Sequence, residues 1–354
     1  MFDSRMNNRT NVLKAIRFEQ PEYIPMVFHI NAACWHHYDH TALQDLMEEH
    51  RFLFPAFKRQ EAVKPHFGLN ERRDKPYTDP WGCVWETMDD GITGSVQHHP
   101  LADWSKFARY RPPDPDITDG IFPVDWKGIR EDVERRKSGE ELVVGGLPHG
   151  HTFLRLMDIR GYENLILDMM DEDPRLARLI DMLAEFNHEC VMRWITMDPD
   201  IMAYPEDLGM QLGPMLSPDR FRKYIRPVYE RLMAPARDRG CIVHMHSDGD
   251  IRTLVDDLIG GGVDVLNLQD MANGIEWIAS RLSGRLCIDL DIDRQHVTPR
   301  GTPRQIDALI FDEVRSLGSK QGGLMMIYGL YPGVPLENVK ALMDAMEKYA
   351  AHYS

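Results

Sequence analysis

Cysteine is sparse in this 354-residue sequence, and its placement excludes two kinds of scaffold. The five cysteines are an odd number, they are scattered along the chain, and no Cys-x-x-Cys pair occurs. Neither a disulfide framework nor a zinc site built on paired thiolates is therefore indicated.

Positive charge and long apolar runs are also scarce. The 41 Lys and Arg residues face 56 Asp and Glu residues, and a net charge of -15 would repel a nucleic-acid backbone. No apolar run is long enough to span a bilayer, and the N-terminal segment lacks the apolar core of a signal peptide. We therefore expect a cytoplasmic protein that has neither a nucleic-acid nor a membrane partner.

Low-complexity segments and charged tails are lacking as well. The Pro-rich run that begins at Arg109 has the composition of a surface loop rather than of a linker between domains. With 43% hydrophobic residues the chain can bury a large core. We expect residues 1–354 to form one domain, in which residues 1–90 are an N-terminal extension.

What the sequence does contain is a regular alternation of short apolar segments with longer amphipathic ones. From Glu141 onward this order repeats to the end of the chain, which predicts parallel strands with helices outside them. Residues 23–30 and 92–99 would add two strands upstream, for about eight in all. The fold class predicted is α/β, a (β/α)₈ TIM barrel with the N-terminal extension over the barrel mouth.

Polar side chains follow nearly every predicted strand. Active sites of such barrels lie at the C-terminal ends of the strands, so these side chains are the candidates for function. Helix capping is the alternative role for many of the carboxylates. The candidates are His29, Asn31 and nearby Trp35, His149, His151, Glu206, Asp207, His244, His246, Asp248 and Tyr328.

The segment "CIVHMHSDGDI" places His244, His246 and Asp248 at every second position. Side chains alternate between the faces of a strand, so all three would point the same way. A metal site, an acid/base site and a polar strand end are all open interpretations. A residue two positions before His246 would lie deeper in the barrel, so we expect His244 to support the other two.

Several sequence blocks occur in a characteristic order, among them "NNRTNVLKAIRFEQPEYIPM", "DPWGCVWE", "HSDGDIRTLVDDLIGGGVDVLN" and "GGLMMIYGLYPGVPLENV". They resemble the uroporphyrinogen decarboxylase superfamily, which includes cobalamin-dependent methyltransferases. The resemblance covers most of the chain and implies a (β/α)₈ barrel enzyme nearer to the methyltransferase-like branch.

The motif that carries zinc in the methyltransferases is changed in this chain. Those members have His-x-Cys-Gly and a later Cys, whereas this sequence has His246-Ser247-Asp248-Gly249 and Tyr328 at the matching positions. The resemblance then implies that His246, Asp248 and Glu206 would hold zinc or another divalent metal. A site without metal, in which His246 and Asp248 bind substrate or move protons, is the open alternative.

The substrate-binding motif of true uroporphyrinogen decarboxylases is absent. Their arginine-containing N-terminal motif corresponds here to "VFHINAACWHHYDHTALQDL", which has no arginine and suits a smaller or flatter ligand. The segment "YPEDLGMQLGP" resembles the active-site lining of the methyltransferase-like branch. The expected substrate-binding residues are His29, Asn31, Trp35, His149, His151, Glu206 and Gln211.

Three functions are compatible with these residues. The first is transfer of a methyl group from a small methylated or methoxylated substrate to a corrinoid, with a corrinoid protein as partner, or to tetrahydrofolate. The second is a decarboxylase or lyase that uses Asp207, His246, Asp248 and Tyr328 as catalytic groups. The third is a ligand-binding barrel without catalysis. Fold alone does not separate them.

Overall fold

Two compact units make up the computed structural model, which describes residues 8–351. The central unit comprises Arg72–Met88 and Thr93–Asp264, and the terminal unit comprises the described residues outside these two ranges. The strands, in chain order, are β1 (Met26–Ile30), β2 (Tyr77–Thr78), β3 (Val84–Glu86), β4 (Ser95–His98), β5 (Val144–Gly146), β6 (Ile201–Pro205), β7 (Gly209–Met210), β8 (Gly213–Pro214), β9 (Ile242–Ser247), β10 (Val265–Gln269), β11 (Cys287–Asp291) and β12 (Leu324–Leu330).

Helices separate the strands along the chain. A 3₁₀ turn covers Trp104–Arg109, and a π-helical turn covers Phe221–Ile225. The α-helices are α1 (Arg9–Arg17), α2 (Cys34–His37), α3 (His40–Glu49), α4 (Trp126–Ser138), α5 (Phe153–Arg160), α6 (Tyr162–Asp171), α7 (Pro174–Ile195), α8 (Pro218–Arg220), α9 (Arg226–Asp238), α10 (Val255–Gly261), α11 (Asp270–Asn273), α12 (Ile275–Leu282), α13 (Val297–Arg300), α14 (Pro303–Leu317) and α15 (Leu336–Ala350).

In the central unit, β5, β6 and β9 are neighbouring parallel strands. Gly146 pairs with Ala203 across the first interface, and Pro205 pairs with His246 across the second. Because the strands are parallel and in register, their C-terminal ends reach the same edge of the sheet. The loops that leave these three ends therefore start close together.

In the terminal unit, the order of parallel strands is β1, β12, β11, β10. Phe28 pairs with Tyr328, and their rings lie 5.2 Å apart. The helix α14 begins with a capping box in which Thr302 and Gln305 satisfy each other's backbone N–H groups. Such local signals explain why the strand–helix alternation was readable from the sequence.

The repeated strand–helix order with parallel strands is that of the α/β barrel class, so the predicted fold class is confirmed. Within residues 8–351 seven strands are parallel, rather than the predicted eight. The prediction was wrong for residues 92–99, since β4 pairs antiparallel with β3 in a small separate sheet. Three of the four β4 residues are exposed, and a strand covered on both faces would need apolar side chains there.

The domain prediction is not tested by this architecture. Strand β1 belongs to residues 1–90 and takes part in the parallel sheet of the terminal unit. A single domain over residues 1–354 and an extension over the barrel mouth both stay predictions. None of the helices in the described part of the chain combines the length and the apolar character needed to cross a bilayer.

Candidate functional site

His149, Asp207 and His246 come together at the C-terminal edge of the central sheet. The Nε2 atom of His149 lies 3.3 Å from one carboxylate oxygen of Asp207, and the Nε2 atom of His246 lies 3.5 Å from the other. The two imidazole rings are 5.8 Å apart. Asp207 therefore lies between two imidazoles, each of which faces a different carboxylate oxygen.

Each of these side chains follows one of the three neighbouring strands. His149 lies three residues after β5, Asp207 lies two residues after β6, and His246 is the penultimate residue of β9. The parallel register brings the strand ends together, as described above. The parallel sheet, together with the loops that carry His149 and Asp207, therefore brings the three side chains to one place.

The chain segments that follow β6 and β9 cross closely, and a glycine in each segment allows this close approach. A Cβ atom on Gly209 would lie 2.5 Å from the Gly249 backbone, and one on Gly249 would lie 2.3 Å from Gly209. Gly249 also has a φ of +78°, which favours glycine. The backbone N–H of Asp248 donates to the Asp207 carboxylate at 3.0 Å, so the crossing fixes Asp207 directly.

The electrostatics of the site keep Asp207 ionised. Burial alone would raise the pKa of this carboxyl, but hydrogen bonding and charge interaction with His149 and His246 outweigh burial. The result is a pKa of Asp207 well below its ordinary value. The carboxylate is negative over the whole physiological pH range and attracts a cation.

These three residues have the chemistry of a metal site. One donor atom from each of His149, Asp207 and His246 lies within 4.8 Å of the others, and no other group of three such residues within residues 8–351 meets this criterion. Two imidazoles and one carboxylate form the ligand set of many catalytic zinc sites, which keep an open position for substrate. The same set is used for iron(II).

The predicted ligand set differs from this group in two members. His246 belongs to both, whereas His149 and Asp207 take the places expected for Asp248 and Glu206. Asp248 Oδ1 lies 3.6 Å from His246 Nε2, and its side chain is 38% exposed. Asp248 is therefore at the rim of the site, beside the imidazole and open to solvent.

Glu206 has a structural role in the central unit. Its carboxylate is fully buried and accepts hydrogen bonds from the backbone N–H groups of Thr152, Phe153 and Leu154 and from the hydroxyl of Tyr229. It thereby satisfies the first N–H groups of α5. Glu206 thus fixes the helix that follows His149, which differs from the expected role as metal ligand.

His151 and His244 are the buried imidazoles of this region. His151 is 2% exposed, and its Nδ1 atom lies 2.6 Å from the hydroxyl of Thr152. Burial and the neighbouring His149 lower the pKa of His151 to about 3, so it is neutral. His244 is 4% exposed on β9, and its supporting role behind His246 stays a prediction.

Four predicted residues belong to the terminal unit, and three of them lie near β1. His29 and Trp35 line a cavity of about 410 Å³, whose walls include the apolar side chains of Phe28 and Phe54. Asn31 accepts a hydrogen bond from the N–H of Ala33 at 2.8 Å, as a turn residue does. The expected role of His29, Asn31 and Trp35 in substrate binding stays a prediction.

Tyr328 is the fourth predicted residue in the terminal unit, and Gln211 is the last of the predicted site residues. Tyr328 on β12 is buried, and its hydroxyl donates to that of Thr298 at 3.1 Å. Burial raises the pKa of Tyr328 to about 12, so its hydroxyl stays protonated. Gln211 lies in the exposed turn between β7 and β8, directly after the loop that carries Asp207.

A buried cluster of charged residues joins α5 to Asp79, which directly follows β2. Arg155 donates to Asp79 at 2.6 Å and lies 3.6 Å from the carboxylate of Asp158. All three side chains are largely buried. Burial of Asp158 outweighs the attraction of Arg155 and raises the pKa of this carboxyl to about 7.

This shift predicts a pH dependence of stability. Between pH 5 and pH 7 the folded protein holds the Asp158 proton while the unfolded chain has released it, so stability falls as pH rises. The wild-type protein should lose about 3 kcal/mol more unfolding free energy from pH 5 to pH 8 than Asp158→Asn. Urea unfolding at both pH values measures this. Equal losses in the two proteins would contradict it.

Comparison with known proteins places this geometry in context. Residues 83–349 match the family model described as Uroporphyrinogen decarboxylase (URO-D). The uroporphyrinogen decarboxylases of two strains of Thermus thermophilus are each 30% identical to this chain over 138 residues. The alignment covers 38% of this chain and only 39% of the length of each relative.

One solved structure matches over nearly the whole chain. A methyltransferase from Methanosarcina mazei superposes with a TM-score of 0.65 and 18% identity, which covers 96% of this chain and 98% of that one. At this identity the likeness establishes a shared fold. It supports the α/β barrel class already derived from the strand order.

Proposed function

The chain belongs to the uroporphyrinogen decarboxylase family of enzymes, and we propose that it transfers the methyl group of a small methylated or methoxylated compound to a corrinoid or to tetrahydrofolate. The observation that supports this most is the group His149, Asp207 and His246, a set of metal ligands with an ionised centre. A corrinoid protein would be the partner that carries the acceptor.

A divalent metal fits the donor atoms of this group. His149 and His246 each offer an imidazole nitrogen, Asp207 offers a carboxylate oxygen, and no thiolate takes part. When bound, zinc or iron(II) would act as a Lewis acid on the heteroatom that carries the methyl group. A ligand set without thiolate suits an oxygen or nitrogen leaving group better than activation of a thiol.

The residues around the group would handle the proton that such a transfer requires. Cleavage of the bond between the methyl carbon and its heteroatom leaves an electron pair on the heteroatom, which must then be protonated. Asp248 is open to solvent and lies 3.6 Å from His246 Nε2. It is therefore the group placed to pass a proton from solvent to the leaving group, while Asp207 orients both imidazoles.

Decarboxylation is the second candidate, and the ionised state of Asp207 favours it. A carboxylate that stays negative can stabilise the positive charge that develops when an electron-rich ring is protonated before CO₂ leaves. His246 or Asp248 would then supply the proton. The two candidates use the same residues and differ in the substrate and in what is released.

A direct assay separates the candidates. We expect the protein, loaded with zinc or iron(II), to form methylcobalamin from reduced cobalamin and at least one compound in a panel of methylated amines, methanol and methoxybenzoates. The absorbance of the cobalamin reports the transfer, and a parallel reaction contains tetrahydrofolate in its place. Release of CO₂ from a carboxylated substrate without methyl transfer would support decarboxylation and overturn the proposal.

A further inference from the structure

A second cavity lies in the terminal unit, between the loops that follow β11 and β12. It has a volume of about 430 Å³, which is within the range of small-molecule sites. These are the last two parallel strands of the chain, and in barrel enzymes the corresponding loops often bind phosphate groups. The side chains used below are Arg294, His296, Arg300, Tyr328 and Tyr331, all of which line it.

Arg294 is held in place at the wall of this cavity. Its Nη2 atom donates to Asp291 at 2.6 Å, and its guanidinium lies over the ring of Tyr331 at 5.8 Å from the centroid. One carboxylate and one aromatic ring thus fix the plane of the guanidinium. A planar guanidinium in a fixed orientation is suited to oxyanions.

Asp293 is a second carboxylate near this cavity, and most of its hydrogen-bond donors are backbone N–H groups. Asp293 accepts hydrogen bonds from the backbone N–H groups of Gln295, His296, Val297 and Thr298, and its side chain is 1% exposed. Its Oδ1 atom also lies 3.1 Å from the Nδ1 atom of His296 on the cavity wall. Asp293 therefore serves His296 and the backbone of its own loop rather than Arg300.

The positive charge of Arg300 is not balanced by Asp291 or Asp293. It is exposed at the end of α13, and no carboxylate in the described part of the chain forms an ion pair with it. Arg300 lines the same cavity as Arg294, in a chain whose net charge is -15. Such a pair attracts an anion.

We propose that this cavity binds the oxyanion group of a small molecule, a carboxylate or a phosphate, between Arg294 and Arg300. The aromatic rings of Tyr328 and Tyr331 on the same walls would contact the uncharged part of the ligand. The proposal concerns binding alone and does not depend on methyl transfer. Its test therefore needs no turnover.

Calorimetric titration at constant ionic strength tests the site with two probes, inorganic phosphate and benzoate. We expect at least one probe to bind with millimolar or tighter affinity. In Arg300→Gln the affinity should fall about tenfold or more, because a charge-assisted contact is lost. Preference for benzoate would identify a carboxylate ligand, and preference for phosphate would identify a phosphorylated one.

Arg304→Gln is the matched control, because Arg304 is an exposed arginine on α14, four residues later, and does not line the cavity. Its affinity for both probes should equal that of the wild type. Melting temperatures verify that both variants are folded. The proposal is overturned if neither probe binds, if Arg300→Gln binds as the wild type does, or if both variants lose affinity equally.

Discussion

Replacing Asp207 by Asn is expected to remove zinc binding and to lower kcat by about 10²–10⁴-fold. The amide keeps the shape of the side chain but removes the negative charge that lies 3.3 Å from His149 and 3.5 Å from His246. Without that charge the two imidazoles lose the group that orients them, and a cation loses its anionic ligand. Titration with zinc and steady-state rates under the methyl transfer assay measure both effects.

Asp248→Asn is the matched comparison. The Asp248 side chain lies 3.6 Å from His246 Nε2 at the rim of the site and is not a member of the candidate ligand group, so its amide variant should keep zinc affinity while the rate falls. Both variants should keep the melting temperature of the wild type within a few degrees. Loss of zinc binding in Asp248→Asn, together with normal zinc binding in Asp207→Asn, would instead favour the ligand set inferred from the sequence.

Part of this site was predictable because strands impose a simple rule on side-chain direction. Alternation along β9 placed His244, His246 and Asp248 on one face, and the barrel rule marked the strand ends as the functional edge. His246 accordingly belongs to the cluster in the structure. The family assignment from ordered motifs is likewise confirmed by the match over residues 83–349.

The choice of partners for His246 was not predictable in the same way. His149 and Asp207 lie on loops beyond the strand ends, where the period of two no longer applies. The position of Asp207 depends on the crossing at Gly209 and Gly249, whose closeness follows from tertiary structure. In the sequence the two glycines do not indicate a close crossing, because their significance depends on the two segments meeting in the folded structure.

The incorrect sheet assignment of residues 92–99 has a similar cause, because the partners of a strand depend on tertiary structure. Residues 92–99 were predicted to form a strand, and a strand does form at Ser95–His98. Sequence alone did not show which sheet it joins. In the structure β3 pairs with β2 on one side and with β4 on the other, so β4 belongs to the small antiparallel sheet. Three of its four residues are exposed there.

Glu206 leads to the largest effect expected on stability. Its carboxylate accepts three backbone N–H groups and the Tyr229 hydroxyl in a fully buried position. Glu206→Ala leaves all four donors without an acceptor, and we expect a loss of about 3–5 kcal/mol in unfolding free energy. Glu206→Gln keeps one acceptor oxygen and should lose roughly half of that. Urea unfolding measures both.

The zinc affinity of the Glu206 variants decides between the structural role and the ligand role. In Glu206→Gln the first turn of α5 keeps part of its support, so His149 should stay near Asp207 and zinc should bind with nearly normal affinity. A folded Glu206→Gln protein that had lost zinc would show that the carboxylate is itself a ligand. The helix-capping geometry argues for the first result, because both oxygens of Glu206 already accept hydrogen bonds from the α5 backbone.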